Sequence, residues 1–82
     1  MLQGITDEGL LKQVEEICRK VFGDPGLVIT ASSSAGTVAQ WDSMTNLILI
    51  DELENKFNVK FSLDDILDAQ NIGDLCTVIK SK

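Results

Sequence analysis

Histidine is missing from this sequence, and so is tyrosine. The first absence removes Ser-His and Cys-His nucleophilic catalysis and the imidazole ligands on which most metal sites rely. Only two cysteines occur, Cys18 and Cys76, far apart and in no CxxC pattern, so neither a disulfide framework nor a zinc site is expected. Both fall on apolar stripes of helical segments, where buried thiols are the expectation. No acidic loop of EF-hand type with its central glycine is present, which makes calcium a poor reading of the acids. No apolar run approaches the ~20 residues of a membrane-spanning helix. Met1–Gly4 has no basic head leading into a long apolar core, so no secretory leader is visible and a cytoplasmic location is expected.

What remains is a short, acidic, moderately apolar chain. Its 82 residues predict one domain, and the 44% apolar fraction is that of a folded one. The net charge of −6 is unevenly placed. Residues 42–74 hold eight acids (Asp42, Asp51, Glu52, Glu54, Asp64, Asp65, Asp68 and Asp74) against Lys56 and Lys60, while the rest balances at five acids and five bases. Nucleic acid is repelled by such a region. A basic protein surface is steered toward it.

The apolar pattern is helical. Residues 7–22 repeat Leu10, Val14, Ile17 and Val21, widened by Leu11, Cys18 and Phe22, with Thr6 or Asp7 as the cap. Gly23 suits a left-handed helix end, and Pro25 stops continuation. Residues 23–41 form a long connection, most flexible at Ser32–Gly36, with Leu27, Val28, Ile29, Val38 and Trp41 as apolar pins to the core. A second helix covers 43–57, with Leu47, Ile50, Leu53 and Phe57 as its core stripe and Asn58 as its left-handed end. A short helix begins after Ser62, which with Asp65 forms a capping box, and Leu63, Ile66 and Leu67 are expected to face inward. Asn71 caps a last helix with Ile72, Leu75, Cys76 and Ile79 as its stripe, where Gly73 weakens the first turn. The fold class is all-α: a small antiparallel four-helix bundle, three longer helices and one short, with a long loop between the first two.

Ser43 opens the second helix. A serine there is most often a cap, contributing about 1 kcal/mol. Asp42 is itself a good cap, so Ser43 is not needed for that job. Its hydroxyl sits at the positive end of the helix dipole, a position that favours a phosphate on the oxygen.

The segment WDSMTNLILIDELENKFNVKFSLDDI, residues 41–66, resembles the phosphopantetheine attachment region of acyl carrier proteins. The matching features are Asp-Ser-Met, the aliphatic Leu47, Leu53-Glu54, and Phe57-x-Val59-x-Phe61 with an acidic short helix after it. The likeness extends in element order over residues 7–80, weakly in the first helix. It implies a single acyl carrier domain over 1–82 that is not an enzyme. Ser43 would carry a covalent 4′-phosphopantetheine arm from coenzyme A, with Asp42 and Met44 beside it, attached by a phosphopantetheinyl transferase (holo-ACP synthase). Acyl intermediates of fatty acid, polyketide or other acyl-transfer biosynthesis would ride on the arm as thioesters.

The resemblance also implies docking to acyl ligases, ketosynthases or acyltransferases through basic patches. The surface expected to meet them comprises Met44, Ile48, Asp51, Glu52, Glu54, Asp64 and Asp65. Leu49, Leu53, Phe61, Ile66 and Ala69 are the expected walls of an acyl cleft, or else plain core. A monomer is expected, and the initiating Met1 predicts a free-standing protein. Two departures from the pattern are informative. Gln40-Trp41 replaces the glycine pair of peptidyl carriers, which favours the acyl branch. Ile48 stands where fatty-acid carriers commonly have an acid, so part of the recognition surface is apolar. A peptidyl or aminoacyl carrier, or a small acidic helical adaptor without a prosthetic group, are the alternatives.

Overall fold

A computed structural model describes residues 7–82 of the chain. Four helices run in order: α1 (Asp7–Phe22), α2 (Ser43–Phe57), α3 (Leu63–Asp68) and α4 (Ile72–Ser81). No strand occurs among the described residues, so Leu27–Ile29 is irregular backbone, as expected. The cap expected at Thr6 or Asp7 lies outside the described residues and side chains.

Helix ends form where the local chemistry stops them. Gly23 takes φ 67°, and the Asp24 N–H donates to the Arg19 carbonyl at 3.0 Å. That closes α1 in a Schellman turn. Asn58 takes φ 54° and closes α2 in the same way, with the Val59 N–H donating to the Glu54 carbonyl at 3.2 Å. Asparagine is among the few side chains that tolerate this conformation. Ser62 and Asp65 form the reciprocal box that starts α3, and the Asn71 side chain accepts from the Asp74 N–H to start α4.

The core gathers Leu10, Val14, Ile17, Cys18 and Phe22 from α1, Leu49, Ile50, Leu53 and Phe57 from α2, and Ile72, Leu75 and Ile79 from α4. Ile29, Val38, Trp41, Val59 and Phe61 complete it from the connections. Each large aliphatic so buried contributes roughly 1.5–3 kcal/mol. The Cys18 thiol is fully buried, and its pKa is pushed up to about 12 by that burial, by the neighbouring Cys76 sulfur and by Glu15. Cys76 is only half-buried, against the expectation, and the two cysteines form no disulfide.

Several inward assignments are corrected. Leu47 is 63% exposed and Leu49 fully buried, so the α2 stripe is Leu49, Ile50, Leu53 and Phe57. Leu63 and Leu67 are 70% and 68% exposed; α3 buries no residue, and only Ile66 packs partly against the core. A helix of six residues held by its capping box and by the Asp65–Lys82 pair does not have to present an apolar face inward. Val28 is 73% exposed, because its neighbours Leu27 and Ile29 take the inward side.

The long connection is fastened by polar contacts more than the sequence suggests. Arg19 Nε donates to the Leu27 carbonyl at 2.7 Å, and the Ile29 N–H donates to Glu15 Oε2 at 3.0 Å. The serine-rich stretch forms turns: the Thr30 N–H reaches Ser33 Oγ at 2.8 Å, and the Ser34 N–H reaches Thr37 Oγ1 at 2.9 Å. Its far side latches onto the start of α4, where the Ile72 and Gly73 N–H groups donate to the Ser33 and Ala31 carbonyls at 2.9 and 2.8 Å. A Cβ at position 73 would meet the Ala31 carbonyl oxygen at 3.0 Å. Gly73 is therefore a close-approach residue rather than a weak point of the helix.

Candidate functional site

The start of α2 is tightly specified. Asp42 Oδ1 accepts from the Thr45 N–H at 2.9 Å, while the Asp42 N–H donates to Thr45 Oγ1 at 2.8 Å. Thr45 Oγ1 also donates to the Gln40 carbonyl at 2.8 Å. The threonine hydroxyl thus replaces the usual glutamate of a capping box. Hydrogen bonding from the Thr45 N–H holds the Asp42 carboxyl below its ordinary pKa.

A carboxylate whose pKa is lowered by folding adds stability above its unfolded pKa. It loses that contribution as pH falls through the lowered folded value. Asp42→Asn keeps a cap acceptor but cannot titrate. The expected result is a shallower fall of Tm with acidification below the ordinary carboxylate range than in the wild type, measured by thermal melts at a series of pH values. Identical acid slopes for the two proteins would contradict it.

With Asp42 occupying the cap, Ser43 is the first residue of α2, exposed, and no partner among the described residues engages its hydroxyl. A hydroxyl so placed suits a phosphodiester. It is open to a second protein, and the first-turn amides and dipole of a 15-residue helix favour negative charge on it. The residues at this helix start therefore fit a phosphopantetheine group.

The outer face of α2 continues from that serine. Met44, Leu47, Ile48 and Asp51 stand at i, i+3, i+4 and i+7, one stripe of the helix. Met44 is 72% exposed and Ile48 46%, and Asp51 is exposed beyond them. Sequence reasoning placed Met44 and Ile48 on this surface but missed Leu47. The signal that could have found it is the i, i+3, i+4 spacing from Met44, which competes with the core stripe on the opposite side.

The acids divide into two kinds. Of the acids in residues 42–74, Asp51, Asp64 and Asp68 are exposed, and their side chains make no hydrogen bond or ion pair among the described residues. The others have internal partners. Glu52 pairs with Lys20 of α1 at 2.9 Å, and Glu54 Oε2 accepts the Phe61 N–H at 2.7 Å. Asp65 accepts the Ser62 N–H and pairs with Lys82 at 3.0 Å, and these partners, Ser62 foremost, lower its pKa. Of the expected cleft residues, Leu49, Leu53 and Phe61 lie in the core, with Ile66 and Ala69 packed against its edge. No cluster that could hold a metal ion occurs among the described residues. No described helix is long and apolar enough to cross a membrane.

Known proteins resemble this chain in sequence and in fold. The family described as phosphopantetheine attachment site matches residues 12–79 of the sequence. Among solved structures, the solution NMR structure of holo acyl carrier protein from Geobacter metallireducens is similar over 89% of this chain and 84% of its own. It is 34% identical, with a TM-score of 0.83. No curated protein matches the sequence.

Proposed function

The chain belongs to the phosphopantetheine attachment-site family, and from that premise we propose that Ser43 bears the arm and that the acidic, apolar flank of α2 presents it to partner enzymes. The protein is a non-catalytic carrier of the acyl carrier type, holding 4′-phosphopantetheine covalently. The observation that carries the assignment to Ser43 is the exposed, unengaged hydroxyl at the first position of α2, made available because Asp42 and Thr45 cap the helix between them.

When bound, the arm supplies a thiol that holds an acyl group as a thioester. The chain's own part is to offer an oxygen. Ser43 Oγ bonds to phosphorus in the pyrophosphate of coenzyme A, the bridging P–O bond breaks, adenosine 3′,5′-bisphosphate leaves, and the hydroxyl proton passes to the transferase or to water. The chain presents no histidine near this site to hydrolyse a thioester.

The partners are a phosphopantetheinyl transferase and then acyl ligases, ketosynthases or acyltransferases with basic patches. Asp51 and Asp64 face them, with Glu52, Glu54 and Asp65 adding to the field while bonded internally. Such charges act chiefly on encounter rate and specificity, which suits a shuttle that must leave each partner. Met44, Leu47 and Ile48 give the contact its apolar centre. The cargo is an acyl group of fatty acid, polyketide or related biosynthesis, with the partly buried Ile66 and Ala69 as the margin where a chain would part Leu49, Leu53 and Phe61. The domain spans the whole of residues 1–82 and works in the cytoplasm.

Intact mass spectrometry tests the reading. Incubation with coenzyme A and a broad-specificity phosphopantetheinyl transferase adds the mass of one arm and no more. An unchanged mass with a transferase that loads a control carrier would overturn it.

A further inference from the structure

Resting on the assignment of the arm to Ser43, we infer that Trp41 and Asn46 form a positioning pair that holds this serine at the angle from which the transferase can use it. Trp41 immediately precedes the cap and Asn46 is the fourth residue of α2. These are the two positions at which an apolar pair often fixes the approach of the chain to a helix. Here the pair is polar: Trp41 Nε1 donates to Asn46 Oδ1 at 2.9 Å.

The indole is anchored independently. It is 8% exposed and packs on Phe22, the last residue of α1, with ring centroids 5.9 Å apart and planes at 36°. The Trp41 N–H also donates to the Val38 carbonyl at 3.0 Å, closing the turn before it. Asn46 lies three residues after Ser43, on the adjoining turn of the same helix, and is half-buried. Ser43 is therefore tied through Asn46 and Trp41 to the end of α1. The Asp42–Thr45 box fixes the helix start locally, and the Trp41–Asn46 bond joins that start to the end of α1 through the indole ring. Group transfer is sensitive to such placement: a displacement of about 1 Å can cost up to ~100-fold in rate.

The test is a double-mutant cycle read in kcat/KM for arm transfer, with all proteins fully folded by circular dichroism. Trp41→Phe removes the donor while keeping a ring against Phe22, and Asn46→Ala removes the acceptor. Each single variant should be loaded about tenfold more slowly, and the double variant no more slowly than either, because the bond is broken only once. Asn46→Asp, which retains an acceptor oxygen, should return most of the rate. Ile79→Val, a core change far from the site, should lower Tm and leave kcat/KM unchanged.

Trp41 is the single tryptophan in a chain without tyrosine, so its emission reports the surroundings of the indole alone and should change in Asn46→Ala. Wild-type rates in both single variants, additive losses in the double variant, or no rescue by Asn46→Asp would each overturn the inference. A wild type that cannot be loaded at all overturns instead the assignment of the arm, and this inference with it.

Discussion

Ser43→Ala gains no mass from coenzyme A and any competent transferase, and melts at the temperature of the unmodified wild type. Both halves of this result are needed. The loss of loading is total because the substitution removes the oxygen that bonds to phosphorus; no neighbouring hydroxyl replaces it, since Thr45 Oγ1 is committed to Gln40, Asp42 and the helix cap. The unchanged melt comes from exposure: a surface residue whose side chain neither caps the helix nor enters the core moves stability by less than about 0.5 kcal/mol. Asp42→Ala gives the opposite pattern. It opens the cap and lowers Tm by several degrees, yet a modified mass is still reached at long incubation. If Ser43→Ala instead destabilised the fold, Ser43 would be a cap and the phosphate reading would lose its footing. Intact mass and a thermal melt on the two variants decide the matter together.

How much of this was legible beforehand depends on the residue. The four helices, the left-handed ends at Gly23 and Asn58, the Ser62–Asp65 box and the Asn71 cap were readable because each is a local contract between neighbours in sequence. Ser43 stood out as the candidate because Asp-Ser-Met, Leu53-Glu54 and Phe57-x-Val59-x-Phe61 together resemble the attachment region of acyl carrier proteins. The orientation of α2 was not readable. Met44, Leu47 and Ile48 on one side and Leu49, Ile50 and Leu53 on the other make the helix apolar over most of its circumference, so periodicity cannot choose the inward face. The acids pose a similar problem. Charge counting finds the −6 region but cannot tell that Glu54 closes onto Phe61 or that Asp65 meets Lys82, because those bonds join parts of the chain that only the fold brings together. Gly73 is the clearest case: in sequence it is a poor helix former, while in space its missing side chain lets the Ala31 carbonyl approach.

Leu53→Ala and Leu47→Ala, two identical truncations on one helix, should separate cleanly. Leu53 is fully buried, and removing its outer carbons costs about 2–5 kcal/mol through lost burial and the cavity left behind. A small domain holds only ~5–15 kcal/mol in all, so Tm should fall by roughly 10 °C or more and chemical denaturation should come at markedly lower denaturant. Leu47, at 63% exposure, should cost less than about 0.5 kcal/mol. What Leu47→Ala removes is the middle of the exposed Met44–Leu47–Ile48 stripe beside the arm. If that stripe is where partners seat, kcat/KM for loading by a partner enzyme falls by roughly fivefold or more, the effect of losing an interfacial contact above ~1 kcal/mol. Leu53→Ala, assayed at a temperature where it is still folded, should load at close to the wild-type rate. The crossed outcome, a stable but slow Leu47→Ala and an unstable but competent Leu53→Ala, requires that the two apolar faces of α2 serve different ends: one holds the bundle together, and the other is kept bare for a partner to cover. Equal stability losses would mean that Leu47 is packed in solution, and the docking face would then have to lie elsewhere.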